Sequence, residues 1–238
     1  MRALLLAAGL GTRLRPMTDT TPKCLVPVGD KPLLQIWLER LSEAGIGPFL
    51  INTHYLAEQV HEFIQSSPYR NQVTLVHEPK LLGTAGTLIR NLDFFQGEDA
   101  LIIHADNYCL ADFRAFRQAH EKRPAPCLMT MMTFQTDDPQ SCGIVEVDDN
   151  GVVTAFHEKV KNPPGSLANG AIYILSKPML ELISREMSDA SDISKEIIPR
   201  MMGRIHAYQT TEIFADIGSI PSYENLRKKI SLIAQSRP

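Results

Sequence analysis

The sequence predicts an α/β fold, a mixed and mainly parallel sheet flanked by helices, on two observations. In the first half, short apolar runs alternate with segments of helical period, the rhythm of strand–helix–strand units that bury parallel strands between helices. In the second half the pattern changes to alternating strands closed by tight turns, which adds antiparallel pairs to the sheet. With 238 residues the chain is long enough for one large core. The expectation is a single domain over residues 1–238, with one half at about 1–125 and the other at about 126–238.

Each element follows from its residues. Residues 2–8 are an apolar strand candidate built around ALLLAA. In residues 32–45, PLLQIWLERLSEAG, the side chains of Leu33, Leu34, Trp37, Leu38 and Leu41 share one helical stripe. Pro32 stands near its start and Gly45 at its stop. PFLINT (48–53) is the next strand, 56–65 a helix, VTLVH (73–77) a strand, ALIIHAD (100–106) a strand and 111–121 a helix. Such a Rossmann-like sheet binds ligands beyond the carboxyl ends of its strands. The loop after residue 8 and Asp106 both lie at such ends. GIVEVDDNGVVTAFHEK (143–159) alternates and turns at Asp149-Asn150-Gly151, a hairpin signal. ANGAIYILS (168–176) is a strand followed by helical stretches, IFADIG (213–218) a late strand, and 219–234 a closing amphipathic helix. There is no internal repeat, low-complexity segment or linker.

Composition excludes several classes. Hydrophobic residues are 44% and charged residues 21%, an ordinary globular balance. A net charge of −3 gives no electrostatic case for nucleic acid. No apolar run approaches the ~18 residues a membrane helix needs, and the N-terminus carries no cleavage pattern for export, so the expected location is cytoplasmic. Cys24, Cys109, Cys127 and Cys142 are widely spaced and form no CxxC pair, which argues against zinc or a disulfide framework. They read as small packed side chains.

Chemistry enters with GLGTRLRPMTDTTPK, residues 9–23. A glycine-rich turn after a buried strand gathers backbone N–H groups in one concavity, a nest for anions. Arg13 adds a planar fork suited to phosphate oxygens, and Lys23 a mobile point charge. A solvated turn would explain the glycines but not Arg13, Arg15 and Lys23 in one loop. Two familiar phosphate loops are excluded: GxxxxGK[ST] is absent, and Leu14 stands where the dinucleotide fingerprint needs its third glycine.

The longer stretch LAAGLGTRLRPMTDTTPKCLVPVGDKPLL resembles the signature G-x-G-T-R-x-x-P…P-K of the sugar-1-phosphate nucleotidyltransferases. EPKLLGTAG (78–86), HADN (104–107), GIVEVDDNG (143–151), FHEK (156–159), ANGAIYIL (168–175) and FADIG (214–218) match family segments in order. NTHYLAEQV and GTAGTL are most similar to the mannose-1-phosphate and heptose-1-phosphate guanylyltransferase branch. The chain is short for the family, and by this resemblance it is expected to be without the C-terminal left-handed β-helix that longer members carry.

The resemblance implies the nucleotide-diphospho-sugar transferase fold and the reaction of NTP with sugar 1-phosphate to NDP-sugar and pyrophosphate. It implies that Gly9, Gly11, Thr12 and Arg13 cradle the phosphates, Arg13 on the leaving pyrophosphate, with Lys23 bridging phosphate oxygens during attack. It implies a shared Mg²⁺ on Asp106 and Asp216, hard oxygen ligands at strand ends. Ala105 replaces the glycine usual before the first aspartate and leaves less room beside that ion. Glu158 and Asn169 match positions that hydrogen-bond sugar hydroxyls, Gly143 and Gly170 positions that permit close approach, and Lys159 the lysine that meets the sugar phosphate and α-phosphate. Read without the resemblance, Glu158-Lys159 is an exposed ion pair worth little.

The resemblance also implies that Ala7, Ala8, Glu78, Gly83 and Thr84 bind the nucleotide, with Glu78 and Ala7-Ala8 at its base. Glu78 is acceptor-only and suits guanine, whose N1–H and 2-amino group both donate. It also accepts the single N3–H of uracil. Ala7-Ala8 stands against guanine, because guanylyltransferases often place a glycine there. GTP is favoured slightly and UTP is the alternative. A regulatory subunit that senses nucleotide sugars without turnover is the rival from another class, and the presence of Lys23, Asp106 and Asp216 argues against it. The expected partners are these small molecules, with no nucleic acid or membrane and with self-association open.

Overall fold

The structure, a computed structural model, describes residues 1–235, with side chains to residue 232. In chain order the elements are β1 (Arg2–Leu6), β2 (Pro27–Val28), β3 (Lys31–Pro32), α1 (Leu33–Glu43), β4 (Phe49–Thr53), α2 (Ala57–Ser66), β5 (Val73–His77) and α3 (Gly83–Arg90). There follow β6 (Ala100–His104), β7 (Asn107–Cys109), α4 (Phe113–Glu121), β8 (Met129–Gln135), β9 (Gly143–Val147), β10 (Val153–Glu158) and β11 (Leu167–Leu175). Last come α5 (Lys177–Glu186), β12 (Ile205–Gln209), β13 (Phe214–Asp216) and α6 (Ile220–Gln235). The predicted α/β class, a mixed sheet flanked by helices, is the observed one. No helix among the described residues is long and apolar enough to cross a membrane.

The chain forms two compact units, each assembled from separated segments. The first holds Leu5–Leu81, His104–Leu110 and the chain from Ile213 onward. The second holds Met1–Leu4, Leu82–Ile103 and Ala111–Glu212.

In the first unit the strand order is β1-β4-β5, with β4 and β5 parallel from Phe49↔Val73 to Thr53↔His77. All five residues of β4 are buried, as expected for a strand covered on both faces. The predicted stripe of α1 packs there: Leu33, Leu34, Trp37, Leu38 and Leu41 are all buried, each worth about 1.5–3 kcal/mol. Trp37 donates its indole N–H to Asn107 O at 2.8 Å. β13 pairs antiparallel with β7, Phe214↔Cys109 through Asp216↔Asn107. Tyr223 of α6 donates to Pro27 O at 2.6 Å.

In the second unit the order is β10-β9-β11-β6-β1, with β8 also on β11 and β12 parallel to β8. β11 is the organiser: over nine residues it pairs antiparallel with β6, β8 and β9. The expected hairpin is present as β9 and β10, with Glu158 opposite Gly143. β8 and β12 were not anticipated, because runs such as MTMMTF carry no clear period.

The free cysteines match the packing reading: Cys24, Cys109 and Cys127 are buried. Burial pushes the Cys24 thiol up to about 12, which keeps it an inert thiol.

Candidate active site

The opening loop leaves β1 two residues before the predicted end and winds through three short 3₁₀ turns, Thr12–Leu14, Met17–Asp19 and Lys23–Leu25. Leu14 anchors it as a fully buried side chain. Gly11 has φ +64°, and a Cβ there would meet Thr18 Cγ2 at 2.9 Å and Lys23 Cβ at 3.3 Å. Glycine is therefore required on both conformational and steric grounds. The carbonyl of Gly11 accepts from Leu14 N at 2.9 Å and Thr18 Oγ1 at 2.7 Å, which points it away from any anion. Gly9 and Thr12 are exposed, and nothing lies within 4 Å of a Cβ built on Gly9. That open space is what an approaching phosphate needs.

Lys23 is the buried cation of the loop, its side chain 7% exposed. Its Nζ lies 2.5 Å from Asp106 Oδ2 and 3.9 Å from Asp216 Oδ1. Asp106 follows β6, and the β7–β13 ladder brings Asp216 beside it, with Ile217 N donating to Asp106 O at 3.4 Å. Burial raises the Asp106 carboxyl, but the charge of Lys23, then that of His104, outweighs it and holds the pKa below the usual carboxylate range. Arg13 is exposed and reaches the same corner. A Cβ on Gly218 would lie 2.9 Å from Arg13 Nη2 and 2.9 Å from both Asp216 oxygens. Arg13, Lys23, Asp106 and Asp216 thus gather at one place in the first unit.

This donor set fits a hard divalent cation. It offers two partly exposed carboxylates and a cradle kept open because residue 218 has no side chain. No cluster of three or more His, Cys, Asp or Glu that could enclose a metal occurs among the described residues, so phosphate oxygens and water would complete the shell.

Glu78, the first residue after β5, is 5% exposed. Its Oε1 accepts from Asn52 Nδ2 at 3.0 Å, and Asn52 Oδ1 accepts from Ala7 N at 2.7 Å. Ala7, expected at the base together with Ala8, therefore connects to Glu78 through Asn52. Asn52 was missed from sequence; its signal was one amide inside the strand FLINT.

The remaining expected residues belong to the second unit. Gly83 has φ +79°, and a Cβ there would lie 2.2 Å from Ser191 O. Thr84 Oγ1 accepts from Ile193 N at 2.8 Å. Gly83 thus lets the 191–193 segment approach closely, and Thr84 fastens the start of α3 to it. On β9 and β10, a Cβ on Gly143 would lie 2.6 Å from Phe156 Cζ and 2.8 Å from Glu158 Oε2. Gly143 therefore makes room for the Glu158 carboxylate. Lys159 is exposed, with Nζ 3.8 Å from Glu158 Oε1. Asn169 Oδ1 accepts from Ala171 N at 2.9 Å, and Nδ2 donates to Tyr173 OH at 2.8 Å. Between Asn169 and Tyr173 the β8–β11 register shifts, and Gly170 lies buried in that irregularity. Tyr173, fully buried, was also missed; burial raises its phenol to about 12.

A family model for nucleotidyl transferases matches residues 2–231. The chain belongs to the nucleotidyl transferase family. The mannose-1-phosphate guanylyltransferase catalytic subunit beta of Drosophila melanogaster is 33% identical over 223 residues, 91% of this chain and 59% of that protein. The UTP–glucose-1-phosphate uridylyltransferase of Synechocystis is 27% identical over 240 residues, 94% of this chain and 61% of that protein. The crystal structure of HddC from Yersinia pseudotuberculosis complexed with GMP-PN superposes with a TM-score of 0.79 at 25% identity, covering 96% of this chain and 99% of that one. The chain spans about three-fifths of the length of the curated relatives it matches. Within this nucleotidyl transferase, the loop, the lysine and both aspartates fall inside the matched residues.

Proposed function

We propose that this nucleotidyl transferase converts a nucleoside triphosphate and a sugar 1-phosphate to an NDP-sugar and pyrophosphate. One observation carries the reading: a buried lysine at the end of a glycine-arginine loop, set against two aspartates. An exposed loop of structural glycines would have no use for that arrangement.

The sugar phosphate oxygen attacks the α-phosphorus in line. A new P–O bond forms, and the bond to the β-phosphate oxygen breaks with its electron pair leaving on pyrophosphate. Positioning and charge neutralisation supply the catalysis. In this reading the open backbone at Gly9, Gly11 and Thr12 seats the phosphates and Arg13 binds the departing pyrophosphate. Lys23 follows the charge that moves onto the phosphate oxygens. Asp106 and Asp216 would hold Mg²⁺, which would neutralise phosphate charge. Gly83 and Thr84 contribute at the nucleotide. Glu158 and Asn169 take sugar hydroxyls, Gly143 and Gly170 give room, and Lys159 meets the sugar phosphate.

GTP and a mannose- or heptose-type sugar 1-phosphate are favoured. The buried acceptor Glu78 suits the two donors of guanine; the Drosophila relative is named a guanylyltransferase, and the HddC structure is a complex with GMP-PN. UTP is the second reading, favoured by Ala7-Ala8 and by the Synechocystis relative. The test is pyrophosphate release with GTP, UTP, CTP, ATP and dTTP against several sugar 1-phosphates in Mg²⁺. Turnover with one pair confirms the reaction; nucleotide-sugar binding without turnover on any pair supports a sensing subunit instead.

A further inference from the structure

Asn52 sits on β4 between β1 and β5, 3% exposed, in a strand otherwise built for packing. Its amide joins two groups of opposite demand. Ala7 N–H, just past β1, donates to Oδ1 at 2.7 Å, and Glu78 Oε1, just past β5, accepts from Nδ2 at 3.0 Å. An amide in this orientation meets a backbone donor with its oxygen and a carboxylate with its nitrogen. An aspartate would accept from Ala7 but would set two buried carboxylates against each other. A leucine would remove the acceptor from Ala7 N–H and the amide donor from Glu78 Oε1.

The backbone at Glu78 has its own anchors: its N–H donates to Thr53 O at 2.8 Å and its carbonyl oxygen bonds His54 Nδ1 at 2.6 Å. Asn52 is thus not needed to hold the chain there. What it orients is the carboxylate, relative to the start of the phosphate loop.

We propose that Asn52 is a positioning residue for the nucleotide, fixing the Glu78 carboxylate against Ala7 so that base and phosphates are met in one register. The proposal rests on the nucleotidyltransferase reading, and it predicts a donor–acceptor exchange. Asn52→Asp loses the donor to Glu78. Adding Glu78→Gln returns one, because the Gln amide donates to the new carboxylate while that carboxylate still accepts from Ala7.

The experiment measures GTP and UTP affinity by calorimetry for the wild type, Asn52→Asp, Glu78→Gln and the double variant. Urea unfolding and turnover accompany it. Asn52→Asp is expected to weaken the better-bound nucleotide about tenfold or more in the wild-type background, and less than about threefold in the Glu78→Gln background. Equal losses in both backgrounds, or none in either, overturn the positioning role. Wild-type protein that binds nucleotide through Asn52 yet turns over no sugar 1-phosphate overturns the reaction and leaves the positioning role standing. Wild-type protein that binds neither nucleotide overturns both.

Discussion

Lys23 Nζ stands 2.5 Å from Asp106 Oδ2 and 3.9 Å from Asp216 Oδ1, with the lysine side chain buried and both carboxylates partly exposed. The two aspartates therefore differ. Asp106 neutralises a buried ammonium at contact distance, whereas Asp216 stands off from it.

Asp106→Asn and Asp216→Asn are both expected to remove most turnover in limiting Mg²⁺, because each replaces a charged ligand by a neutral one. Only Asp106→Asn should also cost measurable stability, about 1 kcal/mol, the worth of a charged hydrogen bond at a partly exposed site. Urea melts beside Mg²⁺ titrations of rate check both; near-normal turnover of either variant refutes the shared cation site. Lys23→Ala should lower kcat more than it raises KM, since its charge is needed most as charge moves.

Glu78→Gln exchanges one acceptor oxygen for a donor amide. Loss of a charged acceptor costs roughly 1.5–3 kcal/mol, about one to two decades of affinity. GTP should suffer more than UTP, which narrows the ratio of their kcat/KM values. Wild-type protein that uses UTP well and GTP hardly at all would make Ala7-Ala8 the deciding feature of the base site.

Gly83→Ala places a methyl 2.2 Å from Ser191 O at a φ of +79°. It is expected to destabilise the fold by about 2 kcal/mol or more. Gly9→Ala has nothing within 4 Å, so it should melt like the wild type while weakening nucleotide binding. The pair separates a structural glycine from one that leaves room for phosphate, read by thermal melts and calorimetry.

Acid should weaken the second unit. His120 is fully buried, its Nδ1 2.8 Å from Thr130 Oγ1 and its Nε2 3.5 Å from Asp99 Oδ2. Burial lowers its pKa below the ordinary 6.5 despite Asp99. The unfolded chain then binds more protons, so this contribution is complete above pH 6.5 and is lost as pH falls below it. Asp99, lowered chiefly by its bond to His120, adds a loss of the same sign below its ordinary 3.8. His206, lowered by burial, acts like His120. Stability should therefore fall as pH drops below 6.5, and His120→Gln should flatten that slope in part. An unchanged slope refutes the assignment.

The sequence by itself determined which chemistry the chain carries. Glycines, arginine and lysine after an apolar strand are legible because local spacing dictates loop geometry, and α1 is legible because its stripe follows the helical period. The long signature lies inside the stretch that places the chain in the nucleotidyl transferase family. Only the tertiary structure decided which groups meet. Asp106 and Asp216 are 110 residues apart, and the β7–β13 ladder joins them. Asn52 went unread in the sequence, and only the strand order puts it between Ala7 and Glu78. Gly83 belongs to a motif legible in sequence, but that its backbone lies against Ser191 is visible only in the fold. Short-range pattern sets the conformation of a segment, whereas strand pairing across long stretches of chain sets its neighbours, and hydrogen bonds and clashes belong to neighbours.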